Sequence, residues 1–537
     1  MKKGNRMQTK KIVLFFWIIS LFLFPQKLFS LTDICCEACR PLCGKTFLPI
    51  RSQNTNAARH FVGHHLLKLR HNMETINGVF TLTPQYGQSF KPCHIAQYFF
   101  ATDTLRFSGS QIENRGECDI LADYFGLSQT FEGTARLKPQ IKTFLLDIDF
   151  FLGLDRLKKG LYFEAYAPVV RTKWSMCICE EIINSGVDTP FVENYMAPQE
   201  ITPPVSSIAT ALHGGVAWGD VREGIKFGRF TNCAKETKVA DVTLVLGYLI
   251  VNKERGYAGL NLRGTIPTGT RPQGVYIFEP VVGNGRHAEV GVGFVGQINI
   301  WEKDGDQQLA MHVDTNFTHL FKAKQCRSFD LCRDGCPNYI SRYMLLKCFD
   351  TNGGYSGVTV PAINVTTLCC DVKVDFQADL NLMFAYTNRS WEFDFGYNAW
   401  IRTHEKICLL DSIALSRYRL KGIQDVNNLG VNNTQSGATI YGNNFDFQEE
   451  VADANSPVFI SNADIDICSA SAPLALTHKF YWHVSHAWRK TDEKRFIPLL
   501  GIGGQLEFES VKPRDVHPYK NTLNQWALWL KGGFAFS

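Results

Sequence analysis

Apolar and polar residues alternate along most of this chain with a period of two, and the alternating runs are long. From 371 to 386, Val372, Val374, Phe376, Ala378, Leu380, Leu382, Phe384 and Tyr386 share one face. Asp371, Lys373, Asp375, Gln377, Asp379, Asn381, Met383 and Ala385 share the other. An ordinary strand has about 5–6 residues, and a membrane-crossing strand needs about 9–11. The pattern recurs. Trp391, Phe393 and Phe395 oppose Glu392, Asp394 and, after a slip in phase, Arg402. Leu260 and Leu262 oppose Asn261 and Arg263, and Met311 and Val313 oppose His312 and Asp314. Segments 142–154, 239–250, 288–301 and 500–509 behave alike.

A soluble sandwich would also alternate, with its apolar side inward. Three features predict the inverted arrangement of a transmembrane barrel. The strands are long. Aromatic residues such as Trp391, Tyr397, Tyr386 and Trp526 sit near the ends of apolar faces, where a water–lipid boundary favours them. The connections are unequal: tight turns at 252–255, 303–306 and 388–389 alternate with long loops near 268–285, 323–370, 403–475 and 511–523. Short periplasmic turns and long outer loops are the expected alternation. Upstream the alternation breaks at the short link 155–160, and an extra strand near 206–218 would restore it. The expectation is an all-β fold: a single antiparallel transmembrane β-barrel over 76–537, of about 14 strands with 12–16 allowed. A Cys-rich segment, 31–75, precedes it. Within it Asn54–Leu69 reads as partly helical, and an inward-folded plug is expected.

Residues 1–30 read as a secretion signal. Lys2, Lys3, Arg6, Lys10 and Lys11 precede the apolar run Ile12–Phe24, and Leu28-Phe29-Ser30 offers a small residue before the cut. The alternative is an uncleaved anchor, for which this run is short. Removing 1–30 leaves 50 basic against 51 acidic residues. The basic excess of the whole chain therefore belongs to the signal and gives no reason to expect nucleic acid as a partner. Seventeen cysteines in an exported chain point to an oxidising compartment. Disulfides are expected within Cys35/Cys36/Cys39/Cys43 and within Cys326/Cys332/Cys336/Cys348. A zinc knot at the first cluster is the alternative, but no second C-x2-C lies close behind it.

The final segment, Trp526–Phe536, alternates and ends in aromatics. It resembles the strand that outer-membrane barrels present to their assembly machinery, although Ser537 follows. The chain as a whole resembles the bacterial outer-membrane barrel superfamily. Segments IPTGTRPQ (266–273), FEPVVGNGRHAEVGVG (278–293) and KQCRSFDLC (324–332) are similar to those of a group of uncharacterised predicted outer-membrane proteins. In size the barrel is similar to porins and to the long-chain fatty-acid transporters, which carry N-terminal plugs. The Asn-Pro-Ala motif of the transporters is absent; Thr55-Asn56-Ala57-Ala58 is the nearest stretch. The resemblance implies a place in the outer membrane, in contact with its lipid.

The polar faces define the candidate binding residues: Arg263, His312, Asp314, Asp375, Asp379, Glu392, Asp394 and Arg402, all expected to face the lumen. Charges of both signs there suit a channel whose selectivity they set, or a salt-bridged interior that excludes water. His312 and Asp314 share a face, as a base and its orienter would, but a hydrogen-bonded filler needs the same spacing. Gly354-Tyr355-Ser356-Gly357 is not a nucleophile elbow, and no P-loop, dinucleotide fingerprint or HExxH is present. No catalysis, cofactor or metal is expected. The expected function is passive passage of small solutes. The alternative is a structural or surface-binding barrel with an occluded lumen.

Overall fold

The structure, a computed structural model, describes residues 44–63, 77–113, 115–116, 119–186, 189–193, 195–333, 336–337, 340–352, 355–414, 417–421, 459–488, 496–509 and 523–536. The expectations for the secretion signal and for Cys35–Cys43 lie outside these residues.

Among the described residues, twelve strands form one closed antiparallel barrel: β1 (Asn77–Ser89), β2 (Gln140–Gly153), β3 (Leu161–Tyr166), β4 (Val242–Lys253), β5 (Gly256–Ile266), β6 (Glu289–Lys303), β7 (Gln307–Ser328), β8 (Thr367–Asn388), β9 (Trp391–Arg402), β10 (Ala475–Ala487), β11 (Phe496–Glu509) and β12 (Gln525–Phe536). Each strand pairs with its neighbour in sequence, and β12 pairs with β1 in the register Gly78↔Phe536 and Ser89↔Gln525. Closure leaves no free edge, as a sheet in lipid requires.

The count is twelve, the lower bound of the expected 12–16 rather than the central fourteen, and the parity problem disappears. β1 supplies the first crossing, so the link 154–160 lies at the short-turn end with all other tight turns. No strand forms near 206–218. Ser207 instead caps a short helix, Ile208–His213, by accepting a hydrogen bond from the Thr210 amide, as an N-cap serine does. Two crossings are interrupted. β3 stops at Ala167-Pro168, where proline offers no N–H to a ladder. The next piece, Val169–Ser175, keeps β2 as its partner, and the matching piece before β4, Ala234–Val239, pairs with it.

The outward faces are apolar and exposed: Leu262 is 56% exposed, Val292 58% and Phe395 59%. The inward faces are polar and closed off: Asp147 is 1% exposed, Asp379 3% and Asn398 0%. In water this would be an inverted protein. Surrounded by hydrocarbon it is the low-energy arrangement, since apolar residues meet lipid and charges meet each other.

β7 and β8 have 22 residues each. At about 3.4 Å per residue they run about 75 Å, far more than a tilted strand needs to cross about 30 Å of hydrocarbon. Their upper parts form a hairpin beyond the membrane, and there the phase reverses. Register shifts fall between Thr318 and Ala323. Below them Ala310, His312, Asp314 and Asn316 point inward; above them Ala323, Gln325 and Arg327 do. In β8 the inward residues change from Gln377, Asp379 and Asn381 to Val374, Val372, Cys370 and Leu368. The upper interior is therefore apolar on the β8 side, while β7 contributes Gln325 and Arg327, the latter paired with Glu405 at 3.1 Å. The long connections fold over the mouth as a cap whose core holds Phe99, Phe100, Phe125, Phe230, Phe278 and Leu345. Phe100 stacks on Phe230 at 5.6 Å, and Trp174 packs on Phe278 at 4.7 Å.

Candidate functional site

The lumen is occupied by the chain's own N-terminal stretch, 44–63. Its start lies under the cap, where the Lys45 amide donates to the Tyr98 carbonyl (2.9 Å) and the Thr46 amide to the Ser469 carbonyl (2.8 Å). Its end lies toward the short-turn side, where the Gly63 amide donates to Asp394 Oδ2 at 2.8 Å. Leu48 and Ile50 pack with the cap core. Below them the sequence Arg51–Asn56 is wholly polar, and a short helix, α1 (Ala57–Phe61), follows. Ala58 and Val62 pack on Met383, Tyr481 and Trp529 of the wall.

Charge complementarity fixes this segment. Arg51 bridges two strands, with Nη2 2.8 Å from Asp379 Oδ2 and Nη1 3.3 Å from Glu507 Oε1. It also donates to Asn398 Oδ1 at 2.8 Å. Arg59 Nε lies 2.6 Å from Asp147 Oδ2, and Nη1 donates to Gln85 Oε1 at 3.0 Å. His60 Nε2 is 2.8 Å from the same Asp147 oxygen, and its ring stacks on Tyr166 at 4.1 Å. From the wall, Lys531 Nζ donates to the carbonyls of Arg59 and Val62 at 2.8 and 3.0 Å. Lys479 Nζ donates to Asn56 Oδ1 at 3.1 Å. Gly63, at φ +84°, leaves room for His483: a Cβ there would lie 2.4 Å from the imidazole.

The expected luminal residues divide. Arg263 and Asp314 face inward and pair, Nη2 to Oδ1 at 3.3 Å. Both border a small cavity with Asp379, Asn316, His60 and Tyr166. His312 is buried and meets Phe61 edge-on at 5.8 Å; its side chain contacts the plug rather than a water path. Glu392 and Asp394 are buried near the short-turn end. Arg402 is buried at the other end, over Trp400 at 5.8 Å. Asp375 is the correction. It lies beyond the phase reversal on the outward face, joined to Lys406 and Lys373, and does not reach the lumen. Residues 51–63 carry no strand periodicity, so Arg51 and Arg59 escaped the sequence reading. The available signal was two arginines in a segment facing walls rich in Asp147, Asp149, Asp314, Asp379 and Glu507.

The cap holds a second polar cluster. Asp123 accepts from Tyr195 Oη at 2.7 Å and from the Ser110 amide at 2.9 Å. Burial raises its pKa above the usual carboxylate range, and these hydrogen bonds partly oppose the rise. Lys421 Nζ sits 3.7 Å from the Tyr195 ring centre, and burial lowers its pKa strongly. Burial also pulls Lys347 down to about 8, with Asp220 opposing.

Of the cysteines expected to pair within 326–348, Cys336 lies among residues whose side chains are not described. Cys326 stands opposite Cys369.

No family model matches the chain, and no curated protein sequence is similar to it. Among solved structures, an outer-membrane channel from Pseudomonas putida F1 aligns over 88% of this chain and 100% of its own, with 9% identity and a TM-score of 0.34. The β-domain of the Bordetella autotransporter BrkA aligns over 86% and 100%, with 8% identity and a TM-score of 0.27. A Pseudomonas aeruginosa FadL homologue aligns over 93% and 99%, with 8% identity and a TM-score of 0.25. None of these likenesses reaches the level at which two chains share a detailed fold.

Proposed function

We propose that this outer-membrane β-barrel is a gated path for small solutes, closed at rest by residues 44–63. The single observation that carries this reading is the polarity of the closure. Here Arg51, Asn54, Asn56 and Arg59 meet the wall through ion pairs and hydrogen bonds. Buried ion pairs return little net free energy once desolvation is counted, so such a plug is held geometrically without being held strongly. When it leaves, water can take over the ion pairs and hydrogen bonds it breaks. The exposed lumen would then carry Arg263, Asp314, Asp379 and Glu507, two-signed and suited to small polar solutes. Passage needs no energy input beyond displacement of the plug. The closing strand Trp526–Phe536 would be the element read by the barrel-assembly machinery.

A second reading has its own observation. The long connections build a folded cap with its own apolar core over the mouth, as a surface-binding barrel would need. Solute-filled liposomes separate the two. Under the gated-path reading, Arg51→Ala/Arg59→Ala protein makes liposomes permeable to small sugars and amino acids, whereas the wild type does so slowly. Impermeable liposomes carrying the correctly folded variant would favour the surface-binding reading.

A further inference from the structure

Above the membrane, two cysteines face each other across the ladder of the longest hairpin. Cys326 of β7 is the antiparallel partner of Cys369 of β8. Their sulfurs lie 2.7 Å apart, and a disulfide bond is about 2.03–2.05 Å long. Bond formation therefore moves the two atoms by well under an ångström and leaves the backbone in place. The neighbouring rungs are set: Gln325 opposes Cys370, Arg327 opposes Leu368, and Ser328 Oγ lies 2.8 Å from Thr367 Oγ1. Asp411 Oδ2 accepts from the Cys369 amide at 2.8 Å. Both thiols are half-buried at the rim, where a small reagent or a protein oxidant can reach them. The nearest competitors are turned away. Cys370 points into the cap core, and Cys408 is exposed opposite Asp371.

We propose that Cys326 and Cys369 are joined by a disulfide in the exported protein, as a covalent staple between β7 and β8 outside the membrane. Each thiol loses its hydrogen and one S–S bond forms. The two electrons and two protons pass to a disulfide-bearing oxidant of the export compartment, which leaves as a dithiol. The position gives the staple a task. Beside it, Leu368, Cys370 and Val372 enter the cap core. Two residues along β7, the Ser328 carbonyl accepts from the Thr46 hydroxyl at the top of the plug. The staple fixes the stretch of hairpin on which both cap and plug rest.

The test is mass spectrometry of the full-length protein, purified from membranes in the presence of a thiol-alkylating reagent and without reductant. The expected result is a peptide containing Cys326 linked to one containing Cys369, lost on treatment with dithiothreitol. Recovery of both cysteines alkylated, or of Cys326 linked to a third cysteine, overturns the proposal. A second measurement reads the mechanical role. Protease cleavage within 340–366 should quicken several-fold on adding reductant to the wild type. In Cys326→Ser/Cys369→Ser it should be equally quick before any reductant is added, which separates this staple from the disulfide at Cys468. Cleavage of the wild type unchanged by reductant would contradict that role whether or not the double variant folds.

Discussion

At the scale of single residues, the pair Arg59–Asp147 is the firmest anchor of the plug, since both side chains are about 1% exposed. Removing one partner strands the other as a buried charge, at a cost of about 3–5 kcal/mol. Arg59→Ala and Asp147→Asn should each loosen the plug, and the double variant should be less damaged than the sum of the two. A double-mutant cycle on protease accessibility of 44–63 checks this, and strict additivity would contradict the pairing. Asp375 and Asp379 make a sharper contrast, because they look equivalent in the sequence. Asp379 holds Arg51 inside the barrel, and Asp375 pairs with Lys406 outside it. Asp379→Asn should alter ion selectivity of the opened pore, and Asp375→Asn should leave it unchanged, as read by reversal potentials in a salt gradient. The alternation of 371–386 placed both in the lumen because a register shift adds no signature to the sequence. Val372 and Val374 remain apolar after it, inward toward a core instead of outward toward lipid. For Arg263, Asp314 and Asp379 the period-two reading was enough, since the strand runs unbroken from their short turns.

At the scale of elements, the apolar outward faces carry the strongest expectation. Leu260 lies at the middle of the eleven-residue β5 and is 56% exposed. Leu260→Arg would put a cation into hydrocarbon, at a cost of about 2–4 kcal/mol near the bilayer midplane. A lower urea midpoint for the folded, heat-modifiable band in gel electrophoresis is the expected outcome, and an unchanged midpoint would contradict the outward assignment. In the cap, Lys347 titrates at about 8 when folded and at about 10.4 when unfolded. Between these values the unfolded chain binds more protons, so cap stability from this group rises with pH. Relative to Lys347→Met, the wild-type cap should gain stability from pH 8 to about 10, followed by urea unfolding of the buried Trp174 and Trp218. A relative loss would contradict the assignment. The long hairpins were legible because their strands exceed the usual length of a soluble strand. The exact strand count was not. Pro168 divides one crossing into two pieces, and 206–218 alternates weakly enough that the Ser207 cap decides for helix. Contacts from the cap also set the upper half of β7 and β8, and no local pattern reports them.

At the scale of the whole molecule, three layers follow from one sequence: an apolar band facing lipid, a charged lumen, and an apolar cap beyond the membrane. The first two are mirror readings of the same alternation and were visible in it. The third arises where β7 and β8 outrun the bilayer and reverse phase. A barrel of twelve strands lies between small barrels filled by side chains and wide open porins, so its width alone does not make it a channel. What closes it is the threaded segment 44–63, seated by Arg51 and Arg59 on Asp379, Glu507 and Asp147. The central claim is that this segment, rather than the barrel wall, is the barrier to passage. Single-channel recording in planar bilayers tests it most directly, comparing wild-type protein with Arg51→Ala/Arg59→Ala. The account predicts a wild type that is closed with rare, brief openings, and a variant with long stepwise openings. A correctly folded variant as silent as the wild type would contradict it.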